Sequence, residues 1–158
     1  IELPSGQTML DCTVAFALTL SNSMVIVGGE VGGYRYIQDR RDSHGPVAGI
    51  EALLESGIDD RYLVLGCDMP QLSLELITPL LHTDQTSVYS NRDTIISLPI
   101  MILDSVLDAC TKYLDSGERS IKGFVAKIPH TKIPIGDGDL RLLQSINTID
   151  DLNKLAVE

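Results

Sequence analysis

Leu63-Val64-Leu65-Gly66-Cys67-Asp68-Met69-Pro70 is an apolar run that stops on a carboxylate, with a proline two residues behind it. A strand apolar on both faces is one covered by helices on both sides, which is the pattern of parallel sheets. Asp68 then falls at the strand's carboxyl end. In open α/β sheets that rim is where ligands bind, and a carboxylate there can hold a hard cation such as Mg²⁺ beside phosphate groups. Asp-x-Pro is also good turn chemistry, so a second reading, in which Asp68 only starts a turn, stays open.

Working outward toward the amino end, Gly45-Pro46 opens a helix that continues over residues 47–56 and closes at Gly57. Proline is most at home in a first helical turn, and glycine just past the end. Residues 34–37 alternate like a short strand leading into the polar loop 38–44, and residues 23–27 read as a buried strand ending at Gly28-Gly29. Helical spacing over residues 9–20, with Thr8 as cap, supplies the first element.

On the carboxyl side, Ser73 caps a helix through residue 81, and residues 86–90 and 94–97 make a hairpin around Asn91-Arg92-Asp93. Helices follow over 103–114 and 120–126, then a strand over 131–135. Thr148-Ile149-Asp150-Asp151 resembles a capping box that opens a last helix through residue 157. The alternation predicts an α/β fold: three layers, a mostly parallel sheet flanked by helices, with a β-hairpin excursion in the second half.

The 158 residues fit one domain with one core. A hydrophobic content of 44% with only 4% aromatic and no Trp points to an aliphatic core of Leu, Ile and Val. A net charge of -10 repels phosphate backbones, which argues against nucleic acid as a partner and means that an anionic nucleotide needs a local cation. Cys12, Cys67 and Cys110, odd in number and without metal-ligand spacing, are expected to be free thiols in a reducing compartment, the cytoplasm. No apolar run reaches membrane-spanning length.

Several residues outside the opening stretch can carry chemistry. In His44-Gly45-Pro46-Val47-Ala48-Gly49 a glycine precedes a helix N-terminus, where free N–H groups and the helix dipole favour an anion or a base edge. Asp39, Arg40 and Arg41 lie in the loop just before it, and a charged loop is ordinarily a solvated one. Cys67 reads as a small buried hydrophobe rather than a nucleophile. His82 closes a helix, His130 sits in a turn, and Asn147 also suits an Asx turn ahead of Thr148.

Taken in order, Asp39, Gly45-Pro46-Val47-Ala48-Gly49-Ile50, the Asp68 stretch, Ser116-Gly117-Glu118-Arg119-Ser120 and Ile146-Asn147-Thr148 resemble the MobA family of molybdenum cofactor guanylyltransferases. The resemblance implies a Rossmann-like nucleotidyltransferase that joins the GMP part of GTP to molybdopterin and releases pyrophosphate. It further implies Mg²⁺ on Asp68, and nucleotide contacts from Asp39, Gly45, Pro46 and Asp68. Asn147 and Arg119 would lie on the pterin side. Proteins that deliver the pterin or accept the product are implied partners.

The family's Gly-rich opening and its lysine are not in this sequence. The first of two asparagines is Ser145 here, and a position that can hold a base-contacting Asn is Gly28. The resemblance therefore implies that a central first strand and a Gly-rich loop precede Ile1 in the natural protein. A transferase using CTP or another nucleotide, and a non-catalytic nucleotide- or pterin-binding relative, are the alternatives.

Overall fold

The computed structural model describes residues 3, 6–41, 45–148 and 150–152. Thr8 caps the first helix, α1 (Met9–Leu20): its hydroxyl accepts from the Asp11 amide at 3.1 Å, and the Asp11 carboxylate accepts from the Thr8 amide at 2.8 Å. The exchange satisfies donors that a first turn otherwise leaves free. Next come β1 (Ile26–Val27) and β2 (Tyr36–Ile37), paired in parallel. Both are shorter than their apolar patterns predict. A two-stranded ladder has little to hold it, and only the last two residues of each expected segment pair.

Pro46 stands in the first turn of α2 (Pro46–Glu55), as expected, and α2 leads through Gly57 to β3 (Arg61–Val64). Ser73 caps α3 (Leu74–Leu81), its hydroxyl accepting from the Leu76 amide. The hairpin forms as β4 (Ser87–Asn91) and β5 (Thr94–Leu103), with Arg92 at a positive φ of 53° in its tight turn.

Here the structure corrects the sequence reading. β5 runs on past residue 97 to Leu103, and the helix expected over 103–114 is a 3-10 turn (Asp104–Val106) followed by α4 (Leu107–Asp115). Proline inside the run argues against a strand, yet Pro99 sits in an irregularity of the ladder. Val88 pairs with Ile100 and Ser90 with Ile95, so residues 96–99 face Tyr89 alone. A bulge is where a strand can hold a proline.

The chain ends with α5 (Ile121–Val125), β6 (Thr131–Pro134), α6 (Asp137–Leu140) and a 3-10 turn (Arg141–Leu143). Thr148 and Asp151 make the reciprocal bonds of the expected capping box at 3.1 and 3.0 Å. Most of the terminal helix expected through residue 157 lies outside the described residues, as does His44.

β3, β5, β4 and β6 form one sheet in that order. β5 runs antiparallel to β3 and to β4, while β4 and β6 are parallel, so three of these four strands point the same way. The hairpin is therefore built into the sheet and is no excursion from it. β3, which its apolar run marks as a parallel-type strand, has only the antiparallel β5 as partner among the described residues.

Alternate residues of the strands feed two cores. Tyr62, Val88, Ile100 and Ile102 pack with Val47, Ile50 and Leu53 of α2, Cys110 and Leu114 of α4, and Phe124 of α5. Tyr89 and Met101 pack on the other side with Ile77 and Leu80 of α3, with Phe16 and Leu20 of α1 against them. Helices thus cover both faces, giving the expected three-layer α/β arrangement.

Candidate active site

Gly45, the N-cap of α2, has φ 70° and ψ -170°, a region open essentially to glycine alone. Its side-chain-free surface meets another loop: a Cβ built there would lie 3.6 Å from the Arg119 carbonyl oxygen and 3.8 Å from the Arg119 Cβ. Ser120 caps α5, its hydroxyl accepting from the Gly123 amide at 3.0 Å, which fixes the loop carrying Arg119. Gly45, Pro46 and Arg119 are all exposed around the start of α2.

Asp39 follows β2 and folds back over the first turns of α2. A Cβ on Gly49 would lie 3.4 Å from Asp39 Oδ1 and 3.0 Å from a Val27 methyl, and a Cβ on Gly28 would lie 3.8 Å from Asp39 Oδ2. Two glycines thus make the space that the carboxylate fills, where β1 and β2 end and α2 begins. Asp39 Oδ1 is buried and has no hydrogen-bond partner. Burial raises its pKa above the usual 3.8, since a charge removed from water is costly.

Asp68 lies beyond the place the sequence assigns it. β3 ends at Val64, and Cys67 and Asp68 form a turn, so the strand-end and turn readings of the Asp-x-Pro signal both hold in part. The carboxylate is half-buried and folds over Gly66, where an added Cβ would come within 2.6 Å of Asp68 Oδ1. The Asp68 carbonyl accepts from the Ile146 amide at 2.8 Å, which brings the exposed Asn147 next to this turn.

The expected residues take part in three separate contacts: Asp39 with Gly28 and Gly49, Gly45 with Arg119, and Asp68 with the segment leading to Asn147. No cluster of three or more His, Cys, Asp or Glu side chains able to hold a metal occurs among the described residues. Carboxylates in ones and twos are what Mg²⁺ uses when substrate phosphates and water complete its shell. Asp68 is a lone carboxylate of this kind.

Other groups differ from expectation. Cys67 is exposed in the Asp68 turn, not buried in a strand, because β3 stops short of it. All three cysteines are free, and burial pushes the Cys110 thiol up to about 12, leaving it an inert core group. Among the described residues no helix is long and apolar enough to cross a membrane.

Sequence reasoning missed Glu51 and undervalued Arg41. The Arg41 guanidinium donates twice to the Glu51 carboxylate, at 2.6 and 2.8 Å, and once to Asp115 at 2.6 Å. Glu51 is only 4% exposed. Its place amid Val47, Ala48, Ile50, Ala52 and Leu53 is a signal the sequence did hold, for an acid within an apolar face needs a partner.

The layered sheet and the glycine-shaped entrance to α2, with Asp39 and Asp68 on the loops that follow two strands, fit a nucleotidyltransferase of Rossmann-like architecture. The model of the MobA-like NTP transferase domain matches residues 1–131, and the chain belongs to that family. A molybdenum cofactor guanylyltransferase of Shewanella putrefaciens is 26% identical over 132 residues, covering 80% of this chain and 67% of that protein. Molybdopterin-guanine dinucleotide biosynthesis protein A from Archaeoglobus fulgidus superposes with a TM-score of 0.72 at 20% identity, over 98% of this chain and 86% of that one. The 2-C-methyl-D-erythritol 4-phosphate cytidylyltransferase of Thermus thermophilus shares the fold, with a TM-score of 0.69 at 16% identity, over 97% of this chain and 91% of that one.

Proposed function

We propose that this protein transfers the guanylyl group of GTP to the terminal phosphate of molybdopterin, in the cytoplasm. An oxygen of that phosphate forms a bond to the α-phosphorus, the bond from the α-phosphorus to the bridging oxygen breaks, and pyrophosphate leaves. The observation that carries this reading is Asp39 Oδ1, a carboxylate oxygen buried without a partner at the head of α2. Buried polar atoms are nearly always satisfied, so an orphan at a ligand-binding rim calls for a donor or cation from the ligand.

Asp68 holds Mg²⁺ in this reading, and Asp39 faces the nucleotide. Gly45 and Pro46 keep the α2 entrance free of side chains, so that backbone approaches the phosphates or base directly. Arg119, against Gly45, and Asn147, beside the Asp68 turn, take the pterin side. Mg²⁺ bound there supplies positive charge to the non-bridging oxygens and the departing pyrophosphate. The remaining work of the protein is to hold two anionic substrates in line despite ten excess negative charges.

Asp68→Asn and Asp68→Ala are expected to lower kcat by about 10²-fold or more, as for removal of one charge-stabilising group, with the fold retained. Turnover of GTP with molybdopterin, measured on the full-length protein, reads this directly. A variant as active as the parent removes Asp68 from the mechanism. Running CTP beside GTP with Mg²⁺, by turnover and by thermal shift, tests the base, since Gly28 offers no side chain to read it.

The same reading places a further strand of the full protein between β1 and β3. β1 and β3 are each edges with one free side among the described residues, while α2 packs across both. A hollow of about 320 Å³ is lined by Met24, Val25, Tyr34, Arg35 and Ile58, residues that precede β1, β2 and β3.

A further inference from the structure

We propose that Arg41 is a positioning residue for the transfer: it ties the loop bearing Asp39 and the end of α4 leading to Arg119 into one arrangement at the head of α2. This rests on the site proposed above and goes beyond it, since Arg41 touches neither the Asp68 turn nor the Gly45 entrance.

Two short rings share its guanidinium. In one, Arg41 reaches Glu51 on α2, and two residues before Glu51 stands Gly49, whose surface meets the Asp39 carboxylate; Asp39 lies two residues before Arg41. In the other, Arg41 reaches Asp115, the last residue of α4, and the four residues that follow bring Arg119 back against Gly45. Between them the rings set the donor-side carboxylate and the acceptor-side loop relative to the same helix turn.

The chemistry suits that task. A bidentate guanidinium–carboxylate pair fixes direction as well as distance, and Arg41 and Glu51 side chains are only 24% and 5% exposed. For stability alone an apolar side chain at position 51 would serve as well, because desolvation offsets most of what a buried pair gains. Arg40, the neighbouring cation, is the contrast: 74% exposed and bridged to Glu55 at 3.1 Å, it holds nothing at the rim.

The experiment uses the full-length protein and four variants. Arg41→Gln leaves Glu51 buried and unpaired and can lose the fold, so Arg41→Gln/Glu51→Gln, which removes both charges, is measured beside it. In the double variant the KM for GTP is expected to rise about tenfold while kcat stays within about threefold, the signature of lost pre-organisation. Arg41→Lys keeps charge without the fork and is expected to give an intermediate KM; Arg40→Gln is expected to stay within about twofold of the parent.

An unchanged KM in the folded double variant, or an equal rise in Arg40→Gln, overturns the proposal. Amide hydrogen exchange reads the clamp independently of turnover: the double variant is expected to exchange faster over residues 36–41 and 116–120, with β4 to β6 unaffected. Unaltered exchange there also overturns it. A parent protein that turns over no nucleotide sinks the proposed function instead, and the exchange data still decide the clamp.

Discussion

At position 39 a carboxylate is held where folding gains nothing from its charge. Burial raises its pKa above 3.8, and Oδ1 has no partner. The native state therefore binds this proton more tightly than the unfolded chain does. The group favours folding most below the unfolded pKa, and that contribution is lost as pH rises through the raised native pKa. Asp39→Asn, of the same shape without the charge, is thus expected to match or exceed the parent in Tm at pH 7 while losing about 10²-fold in guanylyl transfer. Any stability advantage shrinks as the pH approaches 4. Thermal melts at pH 4 and pH 7 beside turnover check both halves, and a clear drop in Tm at pH 7 contradicts the account. Asp68 stood out in the sequence because it follows an apolar run that surfaces, whereas Asp39, in a charged loop, stood out only through the family resemblance. Arg41 did not, because an arginine in a charged loop looks the same whether water or Glu51 solvates it.

The element that organises the site is α2. Proline in its first turn, glycine as its N-cap and Gly57 past its end mark its limits in the sequence, and the structure keeps them. Only the backbone explains why Gly45 is glycine: at φ 70° and ψ -170° any side chain is strained by about 1–3 kcal/mol. Gly45→Ala is expected to cost that much in denaturant-induced unfolding and to weaken nucleotide binding as well, since relief of the strained dihedrals re-aims the amides at the start of α2. Equal stability in the two proteins would show that the turn is not under the constraint its dihedrals indicate. β5 is the converse case. Its second half was hidden because Pro99 reads as a strand breaker, and only the bulge opposite Tyr89 makes room for it.

Across the whole molecule, the described strands fall into two sheets that share the cover of α2, with β1 and β3 each left with one free side among the described residues. Unpaired edges and half-covered apolar residues such as Val25, Val27 and Val64 are liabilities that a strand in the gap would remove. A chain extended upstream of Ile1 by a strand-forming segment is expected to protect the amides of β1 and β3 from hydrogen exchange by at least about tenfold relative to the 158 residues alone, with a higher Tm. Equal protection in the two chains counts against a strand in that gap.

Composition, the period of the apolar residues, the caps and the glycine-proline signals were enough to determine the class of fold and the order of nearly all elements. These are local properties: how a short segment behaves depends mainly on its own side chains and their spacing. Tertiary structure alone decided that the hairpin lies within the sheet, that Asp68 rides in a turn beyond its strand, that Asp39 Oδ1 goes unpartnered, and that Arg41 joins α2 to α4. Each of those depends on which distant segment comes to lie alongside, and burial and pairing between residues far apart in the chain exist only once the layers have packed.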